Sequence, residues 1–594
     1  MADMKETAVD ETGDLSVEDI PNGGESHPAG DGARPILKGT VMYGVNDRPP
    51  WPSAILMGIQ HFSLAATSCF LMPLILAPSL CFDQDRELLN MAIGSSFFIC
   101  GLTTFLQCFI GSRLPIIQGP SAAFVIPAFV LLGMNGPCPA PLNANSTATE
   151  RQGLRNIAQE RMQQFQGSLA LAALVQFLIG CTGLVGVLLR FVRPITIATT
   201  LLLISLPLVP VASDACGRHW LISSFCILQM ILYSQFLNRY SIPLPKGKRL
   251  AIFAFFPALL ALTITWILCL ILTSVGAFPD DPAQYGYFAR TDIYNDAIRN
   301  AVWFRIPYPG QFGVPAISVA GFIGMTAGAV ASIVESVGDY HACALITGEP
   351  PPPVHAINRG VMMEGLGCIA AGLWGAPSGY TSYSTNISII SLTKIGSRVT
   401  SYIAAGLFCF CGVIFKFSAL CSSIPAPVYG GIFASTIGMV ASIGFANLSF
   451  VKVDTSRNLF IIGIGIFMGV GVPDYLDKHP DCIQTGSVVV DQILNVVLGS
   501  NMFIGGVTTC ILDNLVRGSP EEKGTNWRQQ MADICFDEDK YIEESTCYDL
   551  PFGMDWIRRT YWTKYFPFSP TFTGIRLRHR RLQSETKDVI AMRL

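Results

Sequence analysis

Long apolar blocks separated by short polar stretches dominate the chain from about Ser53 onward. Fourteen blocks stand out, starting near Ser53, Leu89, Leu114, Gly167, Ile195, Trp220, Leu250, Ala316, Met362, Ser378, Ser401, Gly430, Asn458 and Val489. A helix needs about 20 apolar residues to cross a bilayer, and most of these blocks supply them. Two are peculiar. Pro115–Pro127 (PIIQGPSAAFVIP) and Gly375–Leu392 (GAPSGYTSYSTNISIISL) are interrupted by small and polar residues and open with poor helix formers. Non-helical backbone at membrane depth is tolerated only where it lines a cavity or is buried in protein. These blocks are third and tenth, so each is third in a half of seven. Paired interruptions of that kind point to a transporter site. The pattern predicts an all-α polytopic membrane protein of fourteen segments in two halves, with short broken half-helices in segments 3 and 10.

The eighth block sharpens this picture. Ala316–Val334 is apolar or small for about five turns, and then come Glu335 and Asp339. Carboxylates in hydrocarbon are costly and normally face a water-filled cavity or a partner. Spacing of i, i+4 puts both on one helix face. They read as a binding site for a polar solute and a coupling cation. A carboxylate accepts N–H donors from a heterocycle or polyol and binds a hard cation such as Na+ through oxygen. We assign Glu335 to the substrate, and Asp339 to the cation or to holding the two broken segments together. The spacing alone leaves the reverse assignment open. The bland alternative, two acids at a helix end in the interface, fits poorly with so complete an absence of charge upstream.

The first block, counterpart of the eighth, holds Gln60 and His61. A bridge from His61 to Glu335 or Asp339 would fix a carboxylate without touching substrate; the alternative is a satisfied packing histidine. The broken segments add Gln118, Gly119, Pro120 and Ser121 in one, and Ser382, Ser384, Thr385 and Asn386 in the other. Half-helix N-termini present unpaired N–H groups and a partial positive charge. Some of these Ser and Thr hydroxyls bond their own backbone, but Gln118 and Asn386 are too large and polar for filler.

Composition narrows the class. The chain is 51% hydrophobic and 14% charged, which places it among membrane proteins. The net charge of −3 is uninformative about nucleic acid, but no basic stripe with interleaved aromatics is present, so nucleic acid is not expected as a partner. Residues 1–50 lack the apolar region of a signal peptide and read as a disordered cytosolic tail. Lys and Arg in alternate short loops, among them Arg113, Arg193, Arg359, Lys394, Arg398 and Arg457, place both termini in the cytosol. Asn145-Ser146-Thr147 is then an external glycosylation acceptor at Asn145.

Eighteen cysteines show no zinc spacing. Cys81, Cys138, Cys216 and Cys482 fall in outer loops where disulfides form, with a pairing that spacing does not reveal. The loop Ala277–Val314 is a candidate cap over the pore. The proline run in EPPPPVHAINRG (Glu349–Gly360) reads as a rigid hinge. RGSPEEKG (Arg517–Gly524) and the irregular sequence after it read as an exit from the membrane, not a domain. No nucleophile–base pair, P-loop or metal cluster points to an enzyme, and no cofactor is implied beyond Na+ as a coupling ion.

ESVGDYHACALITGEPPPPVHAINRG (Glu335–Gly360), QGPSAAF (Gln118–Phe124) and TSYSTNISIISLTKIGSR (Thr381–Arg398) resemble the nucleobase–ascorbate transporter family, solute carrier family 23 in animals. The likeness runs across roughly Pro50–Pro520. It implies fourteen spans as two inverted seven-helix repeats, a homodimer in the plasma membrane, elevator-like alternating access and Na+ symport, with substrate between half-helices 3 and 10. The implied division is a core domain at 51–188 and 316–424 and a gate domain at 189–275 and 425–515. An extracellular loop at 276–315 separates the halves, and 516–594 is a cytosolic tail.

By position, Glu335 resembles the family's substrate-binding acid and Asp339 its partner one turn on. Gln60 and His61 match the first-span pair and are assigned with Asp339 to ion coupling, and Gln118 through Ser121 match the third-span strand and helix start. In the tenth-span signature Asn386, Thr393 and Lys394 fit. Thr385 stands where the family has Gln or Glu (nucleobases) or Pro (ascorbate), and Ser388 replaces a Gly. The third segment lies slightly nearer the nucleobase pattern. The resemblance therefore implies a nucleobase such as uracil, xanthine or hypoxanthine, with L-ascorbate as the alternative. A non-transporting sensor or scaffold is the reading from another class.

Overall fold

Prolines, capping side chains and left-handed glycines fix where the apolar blocks start and stop as helices. The computed structural model describes residues 41–139, 147–240, 242–243, 249–250, 252–448, 451–479, 482–524 and 545–572, all within one unit, Lys38–Leu594. Helix α1 is Trp51–Leu80, with proline in its first turn, where a missing N–H costs nothing. Helix α2, Arg86–Phe109, starts on Asp85, whose side chain accepts from the N–H groups of Glu87 and Leu88. A three-residue strand β1, Gln118–Pro120, precedes α3, Val125–Gly133. Helix α4, Ala148–Thr182, opens with a Thr147–Glu150 capping box and ends on Gly183 at φ +74°.

The second quarter is more segmented: α5 Val185–Phe191, α6 Pro194–Ser205, α7 Leu208–Gly217 and α8 Trp220–Ile231. A two-residue ribbon follows, β2 Ile242–Pro243 against β3 Arg249–Leu250, then α9 Ile252–Phe255, α10 Pro257–Ser274 and α11 Asn295–Asn300.

Helix α12, Val319–Thr347, is capped by the Ser318 hydroxyl and stopped by Gly348 at φ +73°. The proline run holds the chain extended up to α13, Val354–Trp374. Strand β4, Tyr380–Ser382, leads into α14, Ser384–Thr393. The remainder is α15 Arg398–Val413, α16 Phe415–Ser422, α17 Ala426–Asn447, α18 Ser456–Lys478, α19 Val488–Leu498 and α20 Asn501–Leu515. Two short helices follow, α21 Pro520–Lys523 and α22 Met554–Arg559.

Among the described residues, eight helices are long and apolar enough to cross a membrane. The count is nine if α19 and α20, bent by 74°, form one span. The two interrupted blocks fold as predicted into a short extended stretch followed by a short helix. Elsewhere the apolar pattern misses helix starts. It places the fourth near Gly167 and the ninth near Met362, whereas α4 begins at Ala148 and α13 at Val354. The capping box and polar first turns carry α4 beyond its apolar block, while α13 starts where the proline run ends, at Pro353, with no side-chain cap.

Helices α2 and α1 lie along α15, and α13 lies along α4; α17 packs on α6, α7 and α8, and α20 on α6 and α18. The α4–α13 seam needs small residues. A Cβ on Gly180 would sit 2.5 Å from the Met362 nitrogen, and one on Gly365 would sit 2.5 Å from the Phe177 nitrogen. Glycine here lets two backbones approach closely, as packed membrane helices require.

The structure refines three of these readings. Cys81 pairs with Cys138, joining the end of α1 to the loop after α3, while Cys216 is buried and free and Cys482 exposed and free. Arg113, Arg359 and Arg398 are not solvated loop charges: all three are buried, bonded to backbone carbonyls. The sequence after Gly524 is not simply an exit, because residues 545–572 fold back onto the bundle, with Cys547 and Tyr548 buried beside Tyr340 and Val361. The loop between α10 and α12 packs on α4, α13 and α16: Gln163 donates to the Phe312 carbonyl, the Gly310 N–H to Leu373, and the Phe415 N–H to Trp303. Asn145 and residues 1–40 lie outside the described residues.

Candidate functional site

The two extended stretches meet. Strands β1 and β4 pair antiparallel, with Gln118 opposite Ser382, Gly119 opposite Thr381 and Pro120 opposite Tyr380. The pairing continues at both ends, from the Ser121 N–H to the Gly379 carbonyl at 2.9 Å and from the Tyr383 N–H to the Ile117 carbonyl at 3.0 Å. Extended backbone inside a helical bundle must find partners, since an unpaired buried amide is costly. Each strand is the other's partner. Gly119 is required for this contact, because a Cβ there would lie 2.9 Å from the Tyr383 ring.

Helix α12 crosses beside the paired strands and carries both acids. Asp339 is buried, and its Oδ1 accepts a 2.8 Å hydrogen bond from the Ser384 hydroxyl at the start of α14. Its Oδ2 has no hydrogen-bond partner among the described residues. Glu335, one turn earlier, is half-buried, and its carboxylate has no hydrogen bond to any described residue. Ser336, between them, shares a 2.6 Å hydrogen bond with Thr381 of β4. The acids therefore differ in kind: one is tied to the tenth segment, the other is free.

The histidine bridge is not formed. His61 is buried on α1 with its Nδ1 2.9 Å from the Asn386 amide nitrogen. Helix α14 packs against both α1 and α12, so its first-turn side chains meet the histidine in place of the acids. Gln60 is fully buried, with neither amide atom hydrogen-bonded among the described residues. Ser121 accepts from the Ala123 N–H at 3.3 Å, so it starts the turn leading into α3. Thr385 is half-buried in the first turn of α14, and Ser388 is exposed.

The central residue of the site is one the spacing arguments overlook. Glu364, in the middle of α13, is 1% exposed. Its Oε1 accepts from the Tyr340 hydroxyl at 2.7 Å, the Ser382 hydroxyl at 2.9 Å and the Gln118 amide at 3.3 Å. Gln107 of α2 in turn donates to the Tyr340 hydroxyl at 2.7 Å. One carboxylate oxygen thus joins β1, β4, α12 and α13. The signal was present: a lone acid in an otherwise apolar block is expensive and has a reason to be there. Tyr383 is the other addition, its hydroxyl 2.6 Å from that of Ser68 on α1.

Similarity to known proteins identifies the family. A model of the Permease family matches residues 52–478. The chain is 40% identical over 544 residues to solute carrier family 23 member 1 of Rattus norvegicus, covering 90% of this chain and 89% of that one. It is 40% identical over 546 residues to member 2 of Homo sapiens (90% and 83%). It is 30% identical over 524 residues to nucleobase-ascorbate transporter 1 of Arabidopsis thaliana (86% and 96%). The transmembrane domain of the cyanobacterial bicarbonate transporter BicA is a loose likeness, with a TM-score of 0.42 and 13% identity, covering 77% of this chain and all of that one. The chain belongs to the nucleobase–ascorbate transporter family, solute carrier family 23, and is a multi-pass membrane transporter, not an enzyme.

Proposed function

We propose that the protein is a Na+-coupled symporter that imports a nucleobase, bound at Glu335 where β1 and β4 meet. The observation that carries this is the difference between the two acids of α12: Asp339 is engaged by Ser384, while Glu335 has no partner among the described residues. A carboxylate with no partner among the described residues is an acceptor for ring N–H donors of a pyrimidine or purine. Gln60, buried with neither amide atom hydrogen-bonded among the described residues, belongs with His61 and Asp339 to ion coupling. Asp339 keeps one oxygen for Na+, a hard cation that prefers oxygen ligands.

L-ascorbate is the second reading, and the two half-helix N-termini at α3 and α14 favour it, because such ends stabilise an anion. Three carboxylates around the site, Glu335, Asp339 and Glu364, act against an anionic solute unless Na+ enters with it. That balance tips the reading toward a neutral heterocycle.

The packing is compatible with a motion of two parts. Helices α1–α4 with α12–α15 make a core that carries the site, and α6–α10 with α17–α20 make a gate, as two inverted halves of seven spans. The core slides against the gate in an elevator-type cycle, within a homodimer in the plasma membrane. Both termini face the cytosol, and the arginines gathered where α2 ends and α13 and α15 begin support that orientation.

The test is radiolabelled uptake of uracil, xanthine and ascorbate in cells expressing the chain, with Na+ present or replaced. Glu335→Gln, checked for surface expression, is the control. Saturable Na+-dependent nucleobase uptake that is lost in Glu335→Gln is the expected result. Uptake of ascorbate alone would replace the substrate, and no uptake of any of the three at normal surface expression would overturn the reading.

A further inference from the structure

Residues 545–572 have two unlike faces. One face is nailed to the bundle. Arg359 donates to the Tyr548 carbonyl at 2.6 Å, Arg398 to the Cys547 carbonyl at 2.7 Å and Asn358 to the Pro567 carbonyl at 2.9 Å, while the Tyr548 hydroxyl donates to Pro350 at 2.5 Å. Every anchor lies at one end of the bundle, where α12 finishes and α13 and α15 begin. The Phe552 ring is 6.2 Å from that of Phe109, the last residue of α2, so this segment sits at the level where a membrane helix ends.

The other face is aromatic and open. Phe552, Trp556, Tyr561, Trp562 and Tyr565 are between 52% and 70% exposed. They pack on one another edge to face: Trp556 on Trp562 at 5.6 Å, Tyr561 on Tyr565 at 5.9 Å and Trp562 on Phe566 at 5.5 Å. An exposed aromatic patch of this size on a water-facing surface marks an interaction site. Trp and Tyr at the end of a membrane span have a specific solvent, the headgroup layer. Cations accompany them. Lys564 Nζ lies 3.2 Å from the Tyr561 ring centre, and Arg559 is exposed with no partner among the described residues.

We propose that residues 552–566 form a strap that lies in the membrane interface at this end of the bundle and binds anionic phospholipid headgroups. Aromatic rings beside clustered cations are the chemistry of an interfacial segment drawn to a negatively charged leaflet. The inference rests on the bundle standing in a membrane, not on which solute it carries. Because the strap is tied to α12, α13 and α15, lipid binding acts on the helices that hold the site.

The test uses the full-length protein in nanodiscs of phosphatidylcholine with or without phosphatidylserine. Tryptophan quenching by lipids brominated near the headgroup is compared between wild type and Trp556→Phe/Trp562→Phe, so that the difference isolates the strap. Strap tryptophans should be quenched, about two-fold more with phosphatidylserine. A variant with Arg559 and Lys564 changed to Gln should lose that increment yet keep the quenching in phosphatidylcholine. Absence of strap quenching in either lipid would put the segment in water and overturn the proposal. Equal quenching in both lipids, unmoved by the charge variant, would overturn the anionic preference. Nanodiscs expose both faces and the readout needs no transport, so either failure leaves the substrate reading untouched.

Discussion

Segments 3 and 10 share a plan, a three-residue strand and a short helix, yet the bundle holds them by different means. Strand β1 is fixed from behind through its backbone: the Gln118 N–H donates to Thr104 at 2.9 Å, and the Gln118 carbonyl accepts from Cys100 at 2.9 Å, both residues of α2. Strand β4 has a comparable backbone tie, between Tyr380 and Cys368 of α13 at 3.1 and 3.2 Å, but it and the start of α14 are also fixed through side chains that reach other helices. Ser382 goes to Glu364 on α13, Ser384 to Asp339 on α12, and Tyr383 and Asn386 to Ser68 and His61 on α1. The third segment is therefore a platform whose shape matters. The tenth is a joint whose side chains set where the acids stand, so substitutions in the two should fail in different ways.

The largest effect should come from the residue they share. Glu364→Ala leaves the Tyr340 and Ser382 hydroxyls and the Gln118 amide without their acceptor, at about 1–3 kcal/mol for each stranded buried donor. That is comparable with the whole stability margin of a typical fold. Little protein should reach the cell surface, and the fraction that does should unfold at lower temperature in detergent. Glu364→Gln keeps an acceptor oxygen and should recover most of the loss. Surface biotinylation with thermal unfolding checks both variants. Normal expression of the alanine variant would mean that the two strands are held together without this carboxylate.

What the sequence reveals about this joint depends on range. The interrupted segments are legible because Gly, Pro and Ser at membrane depth have few explanations, and Glu335 with Asp339 because i, i+4 spacing is local. Glu364 has no local partner. Its meaning comes from Gln118, Tyr340 and Ser382, residues that only the fold brings together. The same holds for His61, whose contact is an amide on α14 and not an acid on α12. Residues 545–572 escape notice for another reason: two buried side chains and a few backbone carbonyls hold them, which leaves no hydrophobic period to detect.

Ser384→Ala tests the joint directly. It removes the one hydrogen bond that Asp339 receives from a described residue; bonds to charged groups contribute about 1.5–3 kcal/mol. With Asp339 as the cation ligand, the Na+ concentration for half-maximal uptake should shift about tenfold, equivalent to about 1.4 kcal/mol. The substrate KM at saturating Na+ should stay nearly unchanged. A shift in substrate KM alone would exchange the roles of Asp339 and Glu335. Gly119→Ala tests the platform. Its Cβ would press on the Tyr383 ring, an overpacking that costs about 1–3 kcal/mol. Uptake should fall more for a bulky purine than for uracil, with Na+ dependence unaltered, in dose–response curves for each solute.

The smallest effect separates ring from hydroxyl at the contact between the two segments. Tyr383→Phe keeps the ring that packs on Gly119 and removes only the hydroxyl shared with Ser68. A single neutral hydrogen bond contributes about 0.5–1.5 kcal/mol net. The Ser68 hydroxyl left behind can turn to its own helix carbonyls, as Ser63 does toward Ile59, which lowers the cost further. Uptake should therefore change less than in Gly119→Ala, with KM rising by no more than about tenfold. A Tyr383→Phe defect larger than that of Gly119→Ala would show that the hydroxyl to α1, and not the shape of the strand crossing, positions this ring. The division into platform and joint would then fail at the point where the two segments touch.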